Sequence, residues 1–279
     1  MKRTISLFFL LLIPILHSHS QTLARVDSFY MPSLGRTKTL TVLLPSKYDP
    51  KLRYPVLYLL HGHSGDFRDW STRTKLAEYA REIPLIIVMP DGENSWYVNS
   101  ATSPQDRFED YIVSDVANYI QKKYAVDATR QGIAGLSMGG YGAMMLALRH
   151  PGKFRFAGSL SGAITYPRDI GDTLRPAERS LAASLQRAYG ERNNGFRNGH
   201  DVFHLYRQTP KDSLPYLYLV IGAQDGFRKF LPAHRALTDL LRAYGAAYEY
   251  HELQGGHNWQ FWDREIQAVL KRMREILKF

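Results

Sequence analysis

Apolar residues along this 279-residue chain fall into two kinds of run that alternate. Short stretches rich in β-branched and aliphatic residues recur at 39–44, 55–60, 85–89, 132–136, 156–160, 217–221 and 248–253, and these predict strands. Between most of them lie stretches with apolar residues at helical spacing, at 70–81, 108–124, 138–150, 232–244 and 259–277. Strand alternating with helix predicts the α/β class: a mostly parallel sheet with helices on both faces, its earliest strands forming an antiparallel edge. Ligands of such sheets bind beyond the carboxyl ends of the strands, so the residues that follow each short run are the candidates for chemistry. The segment 163–215 breaks the rhythm. It is longer than an ordinary connection, has helical pieces but no clear strand, and predicts a cap-like insertion over the site. Within it, 190–199 carries Arg192, Asn193, Asn194, Arg197 and Asn198 and reads as a mobile polar loop.

The run 132–136 leads into Gly135-Leu136-Ser137-Met138-Gly139, and Tyr141, Met144, Met145 and Leu148 then follow at helical spacing until His150-Pro151-Gly152. A tight strand-to-helix turn at that junction strains the serine backbone and lifts its hydroxyl above the sheet, which makes Ser137 the candidate nucleophile. The small residues Gly139, Gly140, Gly142 and Ala143 let the helix pack close. A serine hydroxyl is a weak nucleophile at neutral pH. It needs a base to take its proton and an acid to hold that base in the right tautomer. Asp225 follows the run 217–221 in Gly222-Ala223-Gln224-Asp225-Gly226, and His257 follows 248–253 in Gln254-Gly255-Gly256-His257-Asn258-Trp259. Serine, aspartate, histidine is the chain order of α/β-hydrolase triads, each member at its own strand end.

A tetrahedral intermediate also needs two donors aimed at its oxyanion. The amide of Met138 follows the nucleophile and supplies one. Tyr58-Leu59-Leu60-His61-Gly62-His63-Ser64-Gly65 ends a strand in a Gly-rich turn, so the amide of His63, with Gly62 as second choice, supplies the other. His61 and His63 also have the spacing of a metal pair, but no third ligand is near, and a metal site is not expected. His200 and His204 share a helical spacing without an adjacent glutamate and read as surface residues. Trp96 and Tyr97, in the turn after 85–89, are candidate substrate walls. Trp259, with Phe261 and Trp262, forms a second aromatic cluster after His257 that is either wall or core.

Composition narrows the setting. Lys2 and Arg3 lead an apolar run from Ile5 to Leu16 that ends in Ser18-His19-Ser20, the pattern of a cleavable signal peptide over 1–20 ahead of one domain over 21–279. A bilayer needs about 20 apolar residues, so this run, interrupted by Pro14, predicts no stable membrane anchor. The chain has no cysteine, which excludes a disulfide framework and a thiol nucleophile. The formal charge is +10, yet the basic residues are interspersed with acids, as in Lys271-Arg272-Met273-Arg274-Glu275, and predict a solvated surface rather than a nucleic-acid stripe.

Tyr58-Leu59-Leu60-His61-Gly62, Met89-Pro90-Asp91-Gly92, Gly135 to Gly140, Asp225 and Gly255 to Trp259 together resemble an esterase family. That family contains the S-formylglutathione hydrolases, tributyrin-type esterases, feruloyl esterases and mycobacterial mycolyltransferases. The resemblance implies an α/β-hydrolase fold, with Ser137 as nucleophile, Asp225 and His257 as its partners and Met138 with His63 as oxyanion donors. The chain lacks the cysteine-bearing oxyanion loop of the formylglutathione hydrolases, which argues against their cytosolic role. The expectation is a secreted or periplasmic serine esterase. It would cleave small-molecule or polysaccharide-linked esters through an acyl-enzyme, without metal or organic cofactor. An acyltransferase to a sugar hydroxyl and a catalytically silent carbohydrate-binding protein are the rival readings.

Overall fold

Every residue of β3 (Tyr54–Leu60) is buried, as are the last six of β5 (Val126–Leu136), and strands without a polar face belong in the middle of a sheet covered on both sides. In the computed structural model, which describes residues 23–167, 179–191 and 194–279, they lie side by side in an eight-stranded sheet. Its order is β1-β2-β4-β3-β5-β6-β7-β8, with β1 (Leu23–Met31), β2 (Arg36–Leu44), β4 (Ile86–Pro90), β6 (Phe156–Leu160), β7 (Tyr216–Gly222) and β8 (Tyr248–Leu253). From β4 to β8 all neighbours are parallel, whereas β1 and β2 pair antiparallel with each other and β2 with β4. The expected signal segment 1–20 lies outside the described residues.

Alternate residues of β3 feed two cores, because side chains of a strand point to opposite faces. Val56, Tyr58 and Leu60 join the core under α5 (Met138–Arg149) and α9 (Phe230–Ala243), while Leu57 and Leu59 join the one under α10 (Trp259–Leu277). Also on that second face are α1 (Asp69–Arg73) and α2 (Leu76–Tyr79), through Trp70 and Leu76. The chain steps from β3 to β4 on one side and returns to β5 on the other. That reversal opens a crevice at the carboxyl ends of β3 and β5, where ligands of such sheets bind.

The structure departs from the sequence expectation where polarity misleads. The hydrophobic pattern shows no strand at 23–31, because Val26 and Tyr30 of β1 face solvent (64% and 62% exposed) while Asp27 is buried against Lys123 and the Tyr124 hydroxyl. One helix over 70–81 breaks at Thr74, which is extended; its hydroxyl donates to the Trp70 carbonyl and accepts from the Leu76 amide. The helix over 108–124 forms as α3 (Phe108–Asp110), a π-helical stretch Tyr111–Val116 and α4 (Ala117–Lys123). The described part of 163–215 holds α6 (Arg179–Tyr189), α7 (Gly195–Asn198) and α8 (Val202–Gln208). Its stretch 190–199 is a correction. The described residues there are not a free loop, since Asn194 caps α7 at the Arg197 amide and the buried Arg197 guanidinium donates to the Gly190, Glu191 and Pro167 carbonyls.

Candidate active site

Ser137 sits between the end of β5 and the start of α5 with φ 52° and ψ −116°, a backbone region that side chains rarely adopt. The turn is held from both sides. Its amide donates to the Leu160 carbonyl at 2.9 Å, and its carbonyl accepts from the Tyr141 and Ala163 amides at 3.0 Å each. Glycine is required beside it: a Cβ on Gly139 would lie 2.5 Å from the carbonyl oxygens of Leu60 and His61, and one on Gly135 2.5 Å from the Gly139 backbone. The first turn of α5 therefore presses directly on the ends of β3 and β5.

Two more strand-end loops meet there. His257 Nε2 stands 3.0 Å from Ser137 Oγ, and His257 Nδ1 2.8 Å from Asp225 Oδ2. Nδ1 therefore donates to the carboxylate, leaving Nε2 as the acceptor for the serine proton. The Asp225 side chain is wholly buried, and its other oxygen accepts from the Phe227 amide at 2.9 Å. The two loops are laced together. The Gln224 amide donates to the Gly255 carbonyl at 2.9 Å and the Gly255 amide to Gln224 Oε1 at 2.6 Å. Gly255 has φ 147°, and a Cβ there would strike the Phe261 ring at 2.4 Å. Phe227, Phe230 and Trp262 present their rings at an angle to the His257 ring, with centroids at 4.7, 5.6 and 4.9 Å, and fix its plane.

The Met138 amide is the first of α5, free of an intrahelical partner by position and directly after the serine. On the β3 side, the Ser64 amide is taken by Asn94 Oδ1 at 2.6 Å and the Gly65 amide by the Gly62 carbonyl at 3.1 Å, and His63, the residue before them, lines the cavity. His61 is a strut. Its Nδ1 donates to the Gly62 carbonyl at 2.7 Å and its Nε2 accepts from the Gly92 amide at 2.9 Å, so it ties the β3 and β4 loops. Burial holds its pKa below the usual imidazole value, against the opposing hydrogen bond to Gly62, which keeps the ring neutral as that pairing requires. Burial and the neighbouring His61 lower His63 as well. Among the described residues no group of three or more His, Asp or Glu side chains is placed to hold a metal ion.

Ser137 and His257 open on a cavity of about 560 Å³, lined by Trp96 and Trp259 as the sequence suggests. Tyr97 is a correction. It is fully buried, packs its ring on Gly92 and Gly142 and donates its hydroxyl to the His61 carbonyl at 2.9 Å, so it braces the β3 loop from behind and forms no wall. Trp96 and Tyr97 both have positive φ (57° and 58°); the first lines the cavity and the second lies in the core. His200 is a second correction: it is buried, with Nε2 3.6 Å from Glu109 Oε2, rather than on the surface. Sequence reasoning missed Tyr166, Leu181, Phe227 and Phe230 as lining residues, and Asp69 and Arg73 at its open side. Phe227 and Phe230 were signalled only by following Asp225 closely, and Asp69 with Arg73 by the i, i+4 spacing of an acid and a base.

Several known proteins are similar to this chain in sequence or in structure. An acetyl esterase of Caldicellulosiruptor saccharolyticus is 27% identical over 264 residues, covering 89% of this chain and 97% of the relative. The substrate-bound fluorophosphonate-binding serine hydrolase F of Staphylococcus aureus superposes with a TM-score of 0.78 at 25% identity, covering 91% of this chain and 98% of that one. A ferulic acid esterase matches the fold with a TM-score of 0.75 at 23% identity, covering 92% and 99%. Residues 31–273 match the family model described as "Putative esterase", and the chain belongs to that esterase family, as a carboxylic ester hydrolase of the serine type on the α/β-hydrolase fold.

Proposed function

We propose that this chain is an exported esterase that cleaves small-molecule and carbohydrate-linked carboxylic esters through an acyl-enzyme on Ser137. The observation that carries the reading is the row Ser137, His257, Asp225, joined at 3.0 and 2.8 Å, with Ser137 and His257 lining an open cavity. His257 Nε2 takes the Ser137 proton as Oγ attacks the ester carbon. Charge gathers on the carbonyl oxygen, and the Met138 and His63 amides donate to it. Asp225 stabilises the imidazolium, which then passes its proton to the departing alcohol. Water enters, gives a proton to His257, attacks the acyl carbon, and the acid leaves as Ser137 recovers its proton. Support for acyl and feruloyl esters comes from the relatives named acetyl esterase and ferulic acid esterase. Support for export comes from the Lys2-Arg3 start, the apolar run to Leu16 and the Ser18-His19-Ser20 end.

Ser137→Ala should lower kcat on p-nitrophenyl acetate by roughly 10⁴- to 10⁶-fold with the fold intact, since only binding and the oxyanion donors are left. A folded variant that keeps more than about a tenth of the parent rate overturns the assignment.

A further inference from the structure

The wall of the cavity includes two contact groups of different character. In the first, Trp96 and Tyr166 meet edge to face with centroids 5.4 Å apart, Tyr166 and Phe230 do so at 5.3 Å, and Leu181 of α6 completes the lining. These four side chains are at most 9% exposed and carry no charge. In the second, Arg73 Nε donates to Asp69 Oδ1 at 3.2 Å, and the Arg73 guanidinium carbon lies 5.6 Å over the Trp259 ring. That flank is open: the Arg73 side chain is 57% exposed and that of Asp69 17%. A Cβ on Gly65 would come within 2.2 Å of Asp69 Oδ2, so only glycine lets that carboxylate lie against the β3 loop. Asp69 lines the cavity, and the bond from Arg73 occupies Oδ1 rather than Oδ2.

The two halves of an ester make different demands on such a wall. The acyl group stays bound to the serine through the intermediate and gains from dry apolar contact. The alcohol must depart and water must follow it in, which requires the open flank. His257 delivers the proton to the leaving oxygen, and its chain runs on through Asn258 to Trp259, the base of that flank. The charges of Asp69 and Arg73 cancel, so neither an anion nor a cation is favoured. A carboxylate oxygen that accepts, a guanidinium that donates and an indole face together match the hydroxyls and apolar face of a sugar ring. We infer that Trp96, Tyr166, Leu181 and Phe230 hold the acyl group, and that Asp69, Arg73 and Trp259 hold a neutral polyhydroxylated alcohol. This rests on the esterase reading above and assigns the two sides of its substrate.

The test compares kcat/KM on a monoacetylated methyl β-xyloside with kcat/KM on p-nitrophenyl acetate, which shares the acyl group and lacks the sugar. In Asp69→Asn and Arg73→Met the ratio of the two should fall by about tenfold or more, mainly through KM for the xyloside ester. Leu181→Trp should instead move the preference among p-nitrophenyl acetate, butyrate and hexanoate toward acetate. A ratio that holds in both charge variants overturns the assignment, as does a Leu181→Trp variant whose xyloside ratio falls while its chain-length profile stays put. Should a variant fail to fold, the unaltered enzyme still decides: methyl β-xyloside should compete with p-nitrophenyl acetate at millimolar concentration, and no competition at about 100 mM overturns the sugar flank. If the unaltered enzyme does not hydrolyse p-nitrophenyl acetate, the esterase reading itself falls. Ser137-dependent hydrolysis with an unmoved ratio removes the flank assignment alone.

Discussion

The loops that carry Ser137, Asp225 and His257 and the described part of the neighbouring segment 163–215 are held in place by different means. In the first region backbone presses on backbone. Gly139 lies against the Leu60 and His61 carbonyls, a Cβ on Gly222 would meet the Gly255 oxygen at 2.3 Å, and amides of one loop bond to carbonyls of the next. In the second region side chains reach for distant carbonyls. Arg149 donates to Gly199 at 2.7 Å, the Tyr141 hydroxyl to His200 at 2.8 Å, Ser100 and Thr102 to Arg187 at 2.6 and 2.7 Å, and Arg197 to three carbonyls around it. Close backbone approach tolerates little beyond glycine and so fixes both geometry and residue type. A side chain-to-carbonyl bond can be supplied from many places in the chain and constrains the local sequence hardly at all.

The comparison predicts that perturbing the first region costs far more activity than perturbing the second. His257→Ala should reduce kcat on p-nitrophenyl acetate by roughly 10⁴- to 10⁶-fold and Asp225→Asn by somewhat less, because the aspartate orients and stabilises rather than reacts. The Ser137→Ala, His257→Ala double variant should be scarcely worse than either single one; near-additive losses would mean that the two do not act as a unit. Gly139→Ala should destabilise the protein by about 3 kcal/mol or more in urea unfolding, since the atoms its Cβ would strike are backbone and cannot turn aside. A variant of unchanged stability and rate would show that α5 can lift off β3 without harm.

The same contrast explains what the sequence made legible. The central strands were readable because buried parallel strands are continuous apolar runs, and Ser137, Asp225 and His257, which the structure brings together, each follow a strand within a glycine-bearing turn. β1 was not, because the buried residue at its middle is Asp27, satisfied by Lys123 and Tyr124 from nearly a hundred residues away. Trp96 and Tyr97 are adjacent and chemically alike, and neither residue type tells that one lines the cavity and the other braces the β3 loop. The stretch 190–199 looked like a loop because its polar residues suit solvent as well as they suit buried carbonyls. The partners of Arg197 are backbone atoms, invisible in a string of side chains.

Acid should separate the two regions further. His234, on α9 behind the Asp225 loop, is fully buried, bonds Phe230 through Nδ1 and has no partner for Nε2. Burial pushes its pKa down to about 4, against the raising effect of the Phe230 hydrogen bond and of Asp225 and Glu252. Its unfolded value is about 6.5, so the unfolded chain binds the extra proton first. Stability is full above that value and is lost as pH falls toward 4, by at most about 3 kcal/mol. On the other side, Glu109 is held below the usual carboxylate range: burial raises it, but His150, His200 and Arg149 around it prevail. That anchor of the second region holds through the window in which His234 titrates, and its contribution is lost only at lower pH. Unfolding free energy measured between pH 7 and 4 should therefore slope down in the parent and less steeply in His234→Leu, where the buried His61 still contributes; parallel slopes would remove His234 as a cause.

The smallest expected effect lies in the second region and is the sharpest check on the comparison. Arg197→Met keeps the aliphatic stem but leaves the Gly190, Glu191 and Pro167 carbonyls without their charged donor in a buried setting, a loss of about 2 kcal/mol of stability. Neither Arg197 nor the rest of α7 lines the cavity. Once the protein is folded, the nucleophile, its base and both oxyanion amides should stand where they did, held by backbone contacts that the substitution does not touch. Turnover of p-nitrophenyl acetate per folded molecule should therefore match the parent, while the urea midpoint falls. If kcat drops together with stability, the segment and the triad loops move as one body, and the separation between a backbone-locked site and a side-chain-tethered neighbour would have to be abandoned.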